Sequence, residues 1–347
     1  RHGHGWWQPG NIVVNGPFLL SSWVAGERIV LAKNPWFHAA ATVRVAEVEA
    51  RLVPDPDEVL RLYEAGELDW TGNSGLLPAG RLAELGSRAG ARRTAELGTA
   101  FFWLNTNAGP LADVRVRRAL SLALDRDRLA ADLGPGDLIT GLLVPPGMPK
   151  HTAPEAPAPD AALAQRLLSE AGFAGGLGFP SLELAVDARP IHQALATTAA
   201  ARWHEVLGVT VTPYVRQYSA HSEAVRDGAY QIARGGWLGD YPDASSFLDL
   251  LRGGSPLNSA DWRDEGYDSL LDEARRAKDP EARRRMLSRA EAVALAGAPL
   301  IPLYNFGSLS LLKPWVGGFT DNPLQVHLLR YLTVGRNVPS MTSGSND

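Results

Sequence analysis

The 347-residue chain contains no cysteine, which removes disulfides, thiol nucleophiles and cysteine-ligated metals while leaving its compartment open. No apolar run approaches the about 18 residues that a membrane-spanning helix requires. Positive charge is not in excess: 34 Lys and Arg against 38 Asp and Glu give a formal net charge of −4, so nothing draws it electrostatically to nucleic acid or an anionic membrane. Familiar catalytic motifs are missing too. There is no Gly-x-Ser-x-Gly elbow and no Gly-Lys-Ser/Thr phosphate loop, so no cofactor is expected. His204-Glu205 lacks the second histidine of a zinc-protease helix, and His192 and His204, three helical turns apart, cannot share an ion. A terminal His2-Gly3-His4 reads as loose chain rather than as a metal site.

What is present is ordinary globular composition, 45% hydrophobic and 21% charged, in a chain long enough for two lobes. Residues 11 to 53 read as β-rich: Ser22-Trp23-Val24 and Arg28 to Ala32 flank Ala25-Gly26-Glu27 as a hairpin, and Val43 to Leu52 alternates as a further strand. Pro56 to Ala65 and Pro78 to Leu85 have helical spacing, with a short strand at Leu68-Asp69-Trp70 between them. Phe101 to Asn107 is an apolar strand ending in amides. The texture then changes. Asp113 to Ala131 reads as one long amphipathic helix, followed by helices at Ala161 to Ala171 and Ile191 to Leu207 and strands at Leu182 to Val186 and Val209 to Tyr214. Strand–helix–strand alternation of this kind predicts an α/β lobe. Helices at Tyr267 to Ala277 and Pro280 to Ala296 lead into Leu300 to Tyr304, and the polar residues after Val334 form a loose tail.

The most unusual stretch is Arg234-Gly235-Gly236-Trp237-Leu238-Gly239-Asp240-Tyr241-Pro242-Asp243. A strand expected at Ala229 to Ala233 precedes it, and a capped helix from Ser245 to Leu251 follows. Three glycines leave the backbone bare, opposite charges at Arg234 and Asp240 bracket them, and Trp237 supplies a flat wall. This suits a ligand with a backbone and two charged ends. A plain strand-to-helix loop, with the Asp capping the helix and the Arg pairing with it, accounts for the same residues. Asp240 and Asp243 could also be imagined as an acid/base pair, but three residues apart they are expected to divide between ligand binding and helix capping.

Several further motifs occur in a fixed order: Asn15-Gly16-Pro17-Phe18-Leu19-Leu20, Glu27 to Leu31 with Lys33-Asn34-Pro35, Ala65-Gly66-Glu67-Leu68-Asp69, Asp113 to Arg117 through Ala123-Leu124-Asp125-Arg126, Ala171-Gly172-Phe173, and Lys313 to Gly318. Together they resemble the extracytoplasmic peptide/nickel-type solute-binding proteins of ABC importers, family 5, over nearly the whole chain. The resemblance implies an α/β, two-lobe fold of the type II periplasmic-binding class. Residues 1–107 with 308–337 would belong to the first lobe, 108–307 to the second, and 338–347 to the tail. Family members open with a further strand and subdomain, so an incomplete first lobe, processed or cut upstream of Arg1, is expected.

Residue by residue, the resemblance implies that Asp240 grips a ligand's α-ammonium and that Gly236 and Leu238 pair with it as an added strand. It makes Trp237 a pocket wall and Arg234 and Arg226 cleft arginines, Arg234 able to meet a carboxylate. It sets His192 near the end of longer peptides. A disulfide carried by oligopeptide-binding members maps to Gly98 and Leu238. The implied function is the periplasmic or extracytoplasmic ligand-binding component of an importer, without catalysis. It would be a monomer that takes short peptides and meets membrane permease subunits. A nickel complex, a murein peptide or another small solute is the alternative within the family, and a peptide hydrolase the alternative outside it.

Overall fold

A computed structural model describes residues 3–72, 76–129, 133 and 137–335. The chain separates into two compact units, residues 1–94 with 308–347 and residues 95–307. His2 and the tail from 338 lie outside the described residues.

In the first unit, β1 (Phe18–Val24) and β2 (Arg28–Lys33) form the expected hairpin, and β3 (Glu47–Arg51) pairs antiparallel with β2. Helix α1 (Pro56–Glu64) starts where Asp55 accepts the Asp57 N–H, with proline in its first turn. It buries Leu60 and Tyr63 against Leu85, Leu309 and Leu311. The helix expected from Pro78 opens as a 3₁₀ turn, and only α2 (Leu82–Leu85) is α-helical, because Arg81 at its cap offers no acceptor. The strand expected at Leu68 to Trp70 shrinks to one bridge, Trp70 to Leu312. There the Asp69 carboxylate takes Trp315 Nε1–H at 2.7 Å, and its carbonyl takes the Lys313 N–H.

Strand β4 (Ala91–Leu104) carries the chain from the first unit into the second. The division falls at Thr94/Ala95, inside this strand, rather than after Asn107. The change in texture at Asn107 follows the end of β4 at Leu104 and is not the point where the chain changes units.

The second unit holds α3 (Val114–Ala123), α4 (Arg126–Leu129), β5 (Leu138–Ile139), α5 (Ala161–Glu170), β6 (Leu182–Asp187), α6 (Pro190–Leu207), β7 (Val211–Arg216), α7 (Tyr218–Arg226), β8 (Ile232–Leu238), α8 (Ser245–Leu248), α9 (Glu265–Arg276) and α10 (Pro280–Gly297). Strand β9 (Leu300–Leu311) then returns to the first unit, where β10 (Val316–Gly317) pairs with β11 (Thr333–Val334). The sheet order is β5–β9–β4–β8–β6–β7, with β4 antiparallel to β8 and β6 parallel to both β8 and β7. Alternation along β4 sends Ala100, Phe102 and Leu104 into a core with Leu120, Leu195 and Trp203. It sends Phe101 and Trp103 into a second core with Phe247, Tyr267 and Leu287. Helices therefore cover both faces, which is why β4 reads as an unbroken apolar run.

Two expectations are corrected here. The helix begun by the Asp113 cap stops at Ala123, with Leu124 extended, and resumes as α4; residues 130 and 131 of the expected span lie outside the described residues. Leu124 and Arg126 are both buried, and Arg126 donates to Pro302 O at 2.8 Å and to Ser121 Oγ. Side chains two apart on a helix point different ways, so the break lets both turn inward. The second correction concerns the strand expected at Ala229 to Ala233. It starts at Ile232 and continues through Arg234-Gly235-Gly236-Trp237-Leu238, which is strand and not loop. Glycine is tolerated there because a Cβ at Gly235 would lie 2.5 Å from Trp103 Nε1 and 2.7 Å from Phe101. The rings of β4 occupy the space a side chain would need.

Candidate functional site

The site is built on the two edges of β8. Register with β4 pairs Gly98 with Leu238, Ala100 with Gly236 and Phe102 with Arg234. The Gly239 N–H donates to Leu97 O at 2.7 Å, while Arg234 O accepts from His221 Nε2 at 2.8 Å. Backbone groups of an antiparallel strand alternate between its edges. Gly235, Trp237 and Gly239 therefore face β4, and Arg234, Gly236 and Leu238 face the other side. On that side β6 pairs only as far as Ala233. Among the described residues no strand continues beside Gly236 and Leu238. Both are exposed, Leu238 at 58%. The result is a short sheet edge with free donors and acceptors.

Asp240 follows at once. Its N–H donates to Ser246 Oγ at 3.1 Å, its side chain is exposed, and among the described residues its carboxylate has neither a hydrogen bond nor an ion pair. Asp243 is engaged instead. It accepts from the Ser245 N–H at 3.0 Å at the start of α8, and from both Arg283 nitrogens at 2.7 and 2.8 Å. The Arg283 hydrogen bonds, aided by the Ser245 donors, hold its carboxyl well below the usual carboxylate range. The two aspartates thus have different employments, and Arg234 pairs with neither.

Arg234 lies against aromatic rings: its Nη2 donates to Tyr304 Oη at 3.3 Å and its guanidinium sits 5.8 Å from the Phe306 centroid. Its Nε is buried without a partner among the described residues. Burial pushes the Tyr304 phenol up, partly offset by Arg234. His192, in the first turn of α6, is 2% exposed and meets Asp187 Oδ1 through Nδ1 at 2.8 Å. Asp187 is also claimed by Arg189, whose Nη2 lies at 2.7 Å. Although burial works the other way, the Arg189 hydrogen bonds keep Asp187 well below the usual range. Burial, then the charges of Arg234 and Arg189, push His192 down to about 3, so it is neutral. Trp237 is half-buried against the second core. Arg226 stands apart at the exposed end of α7, paired with Asp227 at 3.0 Å.

Sequence reasoning missed His221, Tyr304, Phe306 and the Asp187–Arg189 pair. Only the last left a local signal, an acid two residues before an arginine at the start of a helix. The others meet β8 from distant parts of the chain. Where β6 ends, a solvent-open depression is lined by Asp187, Ala188, Arg189, Pro190, Gln217 and Tyr218. No group of His, Asp and Glu suited to a metal occurs among the described residues. Nor is any described helix long and apolar enough to cross a membrane.

Comparison with known proteins places these features. The family model for bacterial extracellular solute-binding proteins, family 5 Middle, matches residues 1–259. The chain is 32% identical over 327 residues to the probable deoxycholate-binding periplasmic protein YgiS of Escherichia coli, covering 92% of this chain and 60% of that protein. It is 31% identical over 329 residues to the periplasmic oligopeptide-binding protein OppA of Salmonella typhimurium, with the same coverage. Among solved structures, the E. coli murein tripeptide binding protein MppA matches with a TM-score of 0.81 at 28% identity, covering 96% of this chain and 66% of that one. Haemophilus influenzae OppA in complex with RPPGFSPFR matches at 0.78 and 26%, covering 96% and 67%. The chain spans about 60% of the length of the curated relatives it matches.

Proposed function

The chain belongs to the bacterial extracellular solute-binding proteins of family 5, and from that premise we propose that it is the ligand-binding component of an ABC importer that takes short peptides as an added strand. The observation that carries this is the open edge of β8 at Gly236 and Leu238, running directly into the unpaired Asp240 carboxylate. A peptide backbone has donors and acceptors at the spacing that edge requires, and its α-ammonium suits Asp240. The amine at Asp240 and a chain running back toward Arg234 make the added strand antiparallel to β8. Arg234 supplies positive charge toward the far end, Trp237 a wall, and neutral His192 braces Asp187 beside it.

On this reading the two compact units are the two lobes, the chain works outside the cytoplasm as a monomer beside membrane permease subunits, and it returns peptides uncleaved. Relatives named for peptides, OppA and MppA, favour it. A bile acid of the kind named for YgiS has no repeating amide to pair with β8.

Calorimetric titration with tri-alanine, N-acetyl-tri-alanine and deoxycholate decides between the ligands. The free-amine peptide should bind at least about tenfold more tightly than the acetylated one, as expected when a charge-assisted bond is lost. The peptide should be recovered intact. Binding of deoxycholate but not of peptide overturns the reading, and shortened peptide overturns the absence of catalysis.

A further inference from the structure

One acceptor on the open side of β8 is already taken. His221 Nε2 lies 2.8 Å from Arg234 O. A carbonyl only accepts, so Nε2 carries the proton and Nδ1 is bare. Nδ1 is buried with no partner among the described residues, and the residue is 5% exposed. His221 is held in the first turn of α7, where its N–H donates to Gln217 O at 2.8 Å. Burial keeps the ring below the ordinary imidazole range, hence neutral. Along this side of β8 the order is therefore β6 as far as Ala233, then the imidazole at Arg234, then Gly236 and Leu238, beside which no strand among the described residues runs.

We propose that His221 is a ruler that fixes the register of the ligand strand and the length over which its backbone is paired. The inference rests on the strand-addition reading above. A peptide anchored by its amine at Asp240 and running antiparallel to β8 places its first residue opposite Leu238 and its third opposite Gly236. Its fifth would fall opposite Arg234, where the imidazole holds the acceptor. Ligand residues past the third are then unpaired with β8 and contribute only through their side chains or terminus. The preferred class is a peptide recognised by the backbone of its first three residues.

The test is a backbone N-methyl scan of penta-alanine, titrated into the protein and into His221→Ala and His221→Gln. N-methylation at residue 3 should weaken binding to all three proteins by roughly two- to tenfold, the value of one net hydrogen bond. At residue 5 it should leave the unsubstituted protein and His221→Gln, which keeps an N–H donor, unchanged. His221→Ala bares Arg234 O, so there the residue-5 methyl should cost a similar two- to tenfold. Sensitivity at residue 5 in the unsubstituted protein overturns the ruler, and this measurement needs no variant to fold. An unchanged pattern in a folded His221→Ala overturns it as well. Insensitivity at residue 3, or no binding at all, instead overturns strand addition itself.

Discussion

Gly98 and Leu238 stand directly opposite one another across the β4–β8 ladder, and a Cβ on Gly98 would lie 2.6 Å from Leu238 Cδ2. These are the two positions to which the family resemblance assigns a disulfide in oligopeptide-binding members. By the alternation established for β8 they form a non-hydrogen-bonded pair, the kind in which side chains approach most closely. Here one partner has no side chain, and the leucine fills its place.

That filling makes a stability prediction. A Cβ on Gly98 would also lie 2.2 Å from Phe306 Cδ2, so Gly98→Ala forces both Leu238 and Phe306 to move. Overpacking of this sort costs about 1–3 kcal/mol. In urea unfolding, Gly98→Ala should fall in that range, and Gly98→Ala with Phe306→Ala should cost less than the sum of the two. Strict additivity would mean that Phe306 yields freely.

The two aspartates of the β8–α8 connection should separate cleanly. Asp243→Ala removes the acceptor of the Ser245 N–H and the carboxylate that Arg283 pairs with, a loss of about 1–3 kcal/mol. Asp240→Ala removes no side-chain contact made among the described residues and should stay within about 0.5 kcal/mol. Thermal unfolding of the pair checks this; equal losses would show that Asp240 has a structural role.

Local features were the legible ones. The hairpin about Gly26, the start of a helix at Asp113 and the helix ending before Gly172 each depend on neighbours within a few residues, and each could be read directly. Gly235 was misread as loop because glycine is depleted in strands, and the reason it is tolerated, the rings of Phe101 and Trp103, sits on another strand. The α3 break escaped because Leu124 keeps helical spacing while Arg126, which needs the break, bonds to Pro302 far along the chain. The charges at Arg234 and Asp240 were visible, but not that they ignore one another. The open edge depends on where β6 leaves β8, and no residue pattern announces that.

Acid should expose His192. Its folded pKa, about 3, lies below the ordinary imidazole value of about 6.5. Between these values the unfolded chain binds a proton that the folded one does not, so stability is full above about pH 6.5 and is lost as pH falls toward 3. One proton gives a slope of at most about 1.4 kcal/mol per pH unit. His221, also depressed by burial, acts in the same direction. The quantity to measure is therefore the difference between the parent and His192→Asn, whose amide can still donate to Asp187. The variant should show a shallower decline between pH 6 and 4. Parallel curves would mean that His192 keeps its proton in the fold.

Amide exchange reads the edge of β8 residue by residue. The N–H groups of Gly235 and Trp237 point into the β4 ladder and can exchange only when that ladder opens, whereas those of Gly236 and Leu238 point to the side that β6 has left. In the free chain Gly235 and Trp237 should exchange on the order of a hundredfold or more slowly than Gly236 and Leu238. Burial alternates in the same sense, with Gly236 and Leu238 exposed and Gly235 and Trp237 half-buried, so the response to bound peptide is the discriminating reading. Saturating tri-alanine should slow Gly236 and Leu238 and leave their neighbours nearly unchanged, because an added strand bonds only the groups on the open side. A ligand held by its side chains or charges would slow none of the four selectively. Alternation in the free chain that survives unchanged with peptide bound would keep the fold as described and remove β8 as the place where the peptide pairs.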